Sequence, residues 1–218
     1  MAASLEKNQV PSSWGAVAQN MAGIALGVML VALGAAYCVD QLGRTNARAA
    51  PALDDGEPIA QTVAGRELQI PSNWFRFGEQ MDSGFISQTE FNVVIDGQTV
   101  DVTLLPRSRA RGSSELLDSV YVHQFTQGTV SGVPGLVGKA LQGNGYDGET
   151  VWYDALAARP FVAKCIDAVT ENAPARCVRT VHLPNGLAAI FGFDADILAG
   201  WRSFDAEIRP WLERIGAL

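Results

Sequence analysis

The chain has 218 residues, of which 48% are hydrophobic and 18% charged, enough apolar material for a real core and too much for a disordered polymer. Its formal net charge of −7 argues against the clustered Lys and Arg that phosphate backbones or anionic surfaces select, so no nucleic acid is expected among its partners.

Residues 1–14 read as a short N-terminal tail, and residues 15–39 as a transmembrane helix. The centre of that helix is Met21 to Val39, MAGIALGVMLVALGAAYCV, which carries no charge, amide or hydroxyl except the Tyr37 phenol. At about 1.5 Å per residue it spans roughly 28 Å, enough to cross the hydrocarbon layer. Trp14 and Tyr37 stand near its two ends, where aromatic rings suit the membrane interfaces. A cleaved signal peptide and a lipoprotein modified at Cys38 are the alternatives. The first usually has an apolar core of only about 7–15 residues. The second fits poorly with Ala35, Ala36 and the bulky Tyr37 before the cysteine. Gly23 and Gly27 stand at GxxxG spacing, with Gly34 seven residues on, a pattern that lets a partner membrane helix approach closely.

Residues 40–62, DQLGRTNARAAPALDDGEPIAQT, lack large apolar groups in number and read as a flexible linker with a reach of roughly 25 Å. The globular part is expected over residues 63–218. RELQIP is an alternating strand stopped by Pro71. FNVVI and QTVDVTLL flank Asp96-Gly97, which predicts a β-hairpin burying Phe91, Val93 and Ile95 against Val100, Val102 and Leu104. The polar loop PRSRARGSS follows, with Arg107, Arg109 and Arg111 as the dense basic cluster of an acidic domain and a possible contact for an acidic partner or lipid headgroups. Leu116, Leu117, Val120, Tyr121 and Phe125 then recur at helical spacing behind a Ser113 or Ser114 cap.

LVGKALQG, ETVWYDAL, FVAKCIDAV, RCVRTVHL and LAAIFGF are short strands separated by turn clusters, among them Pro184-Asn185-Gly186. Short connections imply an antiparallel meander. Cys165 and Cys177 fall in two consecutive strands, and a hairpin between them would bring the pair face to face as a disulfide. Closing a loop of about a dozen residues stabilises by about 3 kcal/mol, and such a bond persists in an oxidising compartment. The basic residues flanking the apolar run are nearly balanced, Lys7 and the α-amino group against Arg44 and Arg48, so the cysteines decide the orientation. They put the domain on the periplasmic side of a cell inner membrane. The chain closes with Ile197, Leu198, Trp201, Phe204, Ile208, Trp211, Leu212 and Ile215 on one face, predicting an amphipathic helix broken near Arg209 by Pro210, with Ser203 as a possible cap for its second piece. The expected fold is thus α+β: an antiparallel sheet of six to seven strands packed by helices, preceded by one transmembrane helix.

LQIPSNW, SGVPG and FDADILAGWRSFDAEIRPWL, in this order of elements, resemble the PsbP/Mog1-like group. That resemblance implies an antiparallel sheet between helices and a non-enzymatic binding or assembly role, often at membranes. The anchor and the cysteine pair depart from the group's usual pattern.

No catalytic, metal or cofactor site is read from the sequence. Gly143, Gly145 and Gly148 match GxGxxG, but strand-like ETVWYDAL follows where a dinucleotide site needs a helix N-terminus, so they read as a hairpin loop. Asp194 and Asp196 precede a helix and suit its N-terminus as caps. His123 and His182 lack partners at metal spacing. GxSxG, P-loop, HExxH and CxxC patterns do not occur. The expected function is that of a membrane-anchored accessory or assembly subunit whose helix and exported domain both contact a membrane-protein partner. The alternative is an envelope enzyme or small-ligand binder with a dispersed site between sheet and C-terminal helix, lined by residues such as Asp154, His182 or Asp194.

Overall fold

The structure is a computed structural model that describes residues 29, 31–34, 50–53, 56–143, 145–168, 170 and 173–218. The chain divides into Met1–Ala49 and Ala50–Leu218. In the first unit, residues 29 and 31–34 are helical with Met29, Val31 and Leu33 exposed, and a Cβ added at Gly34 would meet nothing within 4 Å. The rest of the expected span, with Gly23 and Gly27, lies outside the described residues, among which no helix is long and apolar enough to cross a membrane.

The second unit is α+β. Its main sheet has seven antiparallel strands: β4 (Thr89–Ile95), β5 (Gln98–Pro106), β6 (Val137–Ala140), β7 (Glu149–Tyr153), β8 (Val162–Ile166), β9 (Arg176–His182) and β10 (Leu187–Asp194). They run in the order β4-β5-β10-β9-β8-β7-β6, so the five C-terminal strands form the expected meander and the β4–β5 hairpin adds to its end. Asp96 and Gly97 turn that hairpin with φ of 49° and 74°, pairing Ile95 with Gln98. Those angles match the right-handed twist of the flanking strands. Asn185 and Gly186 make the corresponding left-handed turn before β10, and Gly143, Gly145 and Gly148 lie in the β6–β7 hairpin loop.

A second sheet was not foreseen. β1 (Pro58–Val63) pairs with β2 (Arg66–Pro71), and the short β3 (Gly84–Phe85) runs parallel to β1. The expected linker therefore ends before Pro58. Its polar residue Gln61 disguised the strand, yet Gln61 is buried: Nε2 donates to the Gln80 and Asp82 carbonyls at 2.7 Å, and Oε1 accepts from Thr89 at 2.5 Å. Fully bonded, the amide can be buried without an unmet hydrogen bond.

Alternation sorts the main sheet into two faces. Phe91, Val93, Val102, Leu104, Phe191, Phe193 and Cys177 share the face that carries the principal core. It is closed by α2 (Phe204–Arg214), whose Phe204 meets Phe191 and Phe193, and whose Trp211 ring lies 5.0 Å from Trp74. The reverse face holds a smaller cluster, Leu141, Val151 and Val162 under Leu117 and Tyr121.

The helices differ from expectation in three ways. The segment before β6 is α1 (Ser113–Ser119) followed by a 3-10 turn at Tyr121–Gln124, because Val120 leaves helical geometry at φ −131°. Neither expected serine caps α1: its N-cap is Gly112, and Ser113 Oγ accepts instead from the Thr180 N–H of β9 at 2.8 Å. At the C-terminus, Ala195–Gly200 is a 3-10 helix, the break comes at residues 201–203, and α2 continues through Pro210. Burial of Ile208, Trp211, Leu212 and Ile215 around the proline holds the helix despite the lost donor. Ser203 is the N-cap residue of α2, but its hydroxyl donates to Gly200 O.

Candidate ligand groove beside the C-terminal helix

The sheet splits between β8 and β9. The two strands pair only at Lys164–Val178, Cys165–Cys177 and Ile166–Arg176; beyond Val178, β9 runs on without β8. The loop before α1 and the first residue of that helix fill the reverse side of the split: Thr180 is held by Ser113, and His182 Nε2 donates to the Ala110 carbonyl at 2.9 Å. Arg179 fills the core side. Its Nη2 donates to Asp205 Oδ2 and Oδ1 at 2.8 and 3.1 Å, its Nη1 reaches Val162 O at 3.5 Å, and its guanidinium lies 4.3 Å from the centre of the Phe161 ring.

Arg179 is only 6% exposed, and its buried Nε has no partner among the described residues. Burial pushes its pKa down, and the Asp205 carboxylate opposes that shift. The pair is lopsided, since the Asp205 side chain is 65% exposed while Arg179 is interior. Asp205 neutralises a charge that the core would otherwise have to hold alone.

Beside this pair lies an open groove of about 670 Å³ between α2 and the free end of β9. Val181, Leu183, Phe191, Ile208 and Leu212 supply its apolar floor, with Arg159, Asp205, Arg209 and Glu213 as its charged banks. Arg209 and Glu213 pair at 3.5 Å, whereas the exposed Arg159 makes no hydrogen bond or ion pair among the described residues. An apolar floor with charged groups at its margin suits binding of a small amphiphilic ligand.

The residues singled out from sequence are dispersed. His182 lines this groove. Asp194 lies on the reverse face, where it and Asp101 grip Arg176 at 2.6 and 2.5 Å across Gly192, and it makes no side-chain cap. Burial works against the Arg176 charge, but the two carboxylates outweigh it and raise its pKa. Asp154 accepts the Leu156 N–H within the β7–β8 turn. Asp196 sits in the first turn of the 3-10 helix, and His123 is exposed. Among the described residues, no three His, Cys, Asp or Glu side chains could hold a metal ion.

Cys165 and Cys177 form the expected disulfide, facing each other across β8 and β9. Of the arginine cluster, Arg109 donates to Ser87 O at 3.2 Å and Arg111 pairs with Glu115 at 3.1 Å; Arg107 is exposed and engaged by no side chain among the described residues. Sequence reading missed Arg179 and Asp205. Alternation held the signal for the first, because an inward Cys177 forces residue 179 inward too. Asp205 lies 26 residues away and had no local signal.

Compared with known proteins, the chain matches no protein-family model, no curated protein and no solved structure.

Proposed function

We propose that this chain is a membrane-tethered accessory or assembly subunit, anchored by Met21 to Val39, whose α+β domain works by protein contact on the non-cytoplasmic side. The observation that carries this reading is the Cys165–Cys177 disulfide, a bond that fits an oxidising compartment outside the cytosol. The apolar run supplies the tether, Gly23, Gly27 and Gly34 supply a close-packing face for a partner helix, and the resemblance to the PsbP/Mog1-like group fits an accessory role. In the domain, the exposed turn at Arg107 with Arg109 and Arg111 is the contact offered to an acidic partner surface.

Cross-linking in native membranes from positions 23, 27 and 107, followed by purification in mild detergent, tests it. A defined membrane-protein partner trapped from both the helix and the arginine turn supports the reading, and a monomer with no partner at either position contradicts it.

The groove between β9 and α2 favours a second reading, a small-ligand binder. Its apolar floor and unengaged Arg159 are the observations behind it.

A further inference from the structure

We infer that the groove beside α2 binds a monoanionic amphiphile, an aliphatic chain bearing one carboxylate, with the chain along Val181, Leu183 and Leu212 and the headgroup at Arg159. This rests on the small-ligand reading and is independent of the membrane anchor. The groove's volume of about 670 Å³ lies within the roughly 300–1,000 Å³ usual for small-molecule sites.

The floor selects the tail. Its side chains are hydrocarbon, with Phe191 among the aliphatic residues, and offer no donor or acceptor, so a sugar laid there would lose water contacts without replacement. The banks select the head. Asp205 is committed to Arg179, and Glu213 lies against Arg209, which leaves Arg159 as the unengaged cation of the lining among the described residues. A planar guanidinium takes a carboxylate through two parallel hydrogen bonds. A doubly charged phosphate would instead meet two carboxylates with one spare guanidinium, so a single negative charge is the better match.

The test uses the full chain held in an amphipathic polymer and a dodecanoate carrying a photoreactive diazirine, with adducts mapped by mass spectrometry. The expected result is saturable labelling confined to residues 181–184 and 208–213. In Arg159→Gln, labelling should need at least about tenfold more probe, because the amide offers one neutral hydrogen bond in place of two charge-assisted ones. Arg159 is exposed, so this variant leaves the core untouched. Equal groove labelling by the matching dodecanol probe, or by dodecanoate in Arg159→Gln, overturns the carboxylate assignment while leaving the groove a ligand site. Absence of groove labelling by either probe, or adducts scattered over the surface, overturns both the assignment and the small-ligand reading.

Discussion

The two faces of the main sheet are finished differently. On the principal face, Trp74, Phe91, Phe191, Phe193 and Phe204 are almost fully buried, and α2 together with the small sheet closes over them. On the reverse face, the 7-residue α1 and the turn after it cover the β6–β9 end, with Leu117 and Tyr121 over the buried Leu141, Val151 and Val162, while the β4–β5–β10 end shows Asn92, Asp101 and Asp194 to solvent. Almost fully buried aromatic rings anchor one face; a smaller cluster, whose rings Phe125, Tyr146 and Tyr153 are only partly buried, holds the other. The seam between β8 and β9 lies between these regimes, and the disulfide closes it at the place where pairing is shortest. Global stability should therefore reside in the principal face, with the reverse face opening locally.

Trp74→Ala is the most damaging way to probe this contrast. It removes a ring packed at a tilt against both Phe91 and Trp211, together with the hydrogen bond to Ala52 O, and should cost about 3–5 kcal/mol by denaturant titration of the domain. A loss below about 1 kcal/mol would mean that the principal face is not the anchor.

Removing the disulfide with Cys165→Ser and Cys177→Ser should cost about 3 kcal/mol, read as a shift in the denaturation midpoint. Hydrogen exchange sharpens the result. Protection should fall first in β6, β7 and β8, and uniform loss across all seven strands would show that the two regions melt as one unit.

Asp205→Ala should cost about 1–3 kcal/mol, because it strands the interior Arg179 charge without its carboxylate. Arg179→Met keeps most of the volume and leaves only a solvated carboxylate behind, so it should cost less. The reverse order in thermal unfolding would contradict the assignment of Arg179 as the costly partner.

The smallest effect concerns the reverse face and pH. Burial, then Glu149 and Tyr146, raise the Tyr121 pKa above its ordinary 10.0, so the folded state keeps its proton longer than the unfolded chain. Its contribution is complete below pH 10 and is lost as pH rises through the folded pKa. Tyr121→Phe should flatten that alkaline decline in a melting series from pH 9 to 11, and an unchanged slope would remove Tyr121 as its source.

The strands were legible because alternation and turn residues are local. Asp96-Gly97 and Pro184-Asn185-Gly186 fixed two turns, and the facing cysteines followed from one hairpin register. β1 escaped because Gln61 is polar in sequence yet satisfied in the interior by partners 19 to 28 residues away. The groove was expected only as a site between sheet and C-terminal helix near His182; most of its lining escaped, because it exists where β8 stops pairing and joins Arg159, Val181 and Leu212 through tertiary contact alone. Ser113 shows the limit of local rules, since a good capping residue was claimed by a strand 67 residues away.

Tethering and export are tested together by non-reducing mass spectrometry of the membrane pellet that remains after alkaline carbonate extraction of cells making the full chain. A peptide pair linked through Cys165 and Cys177 is the expected finding in that pellet. Recovery of the chain in the carbonate wash, or of both cysteines as free thiols in the pellet, would contradict it.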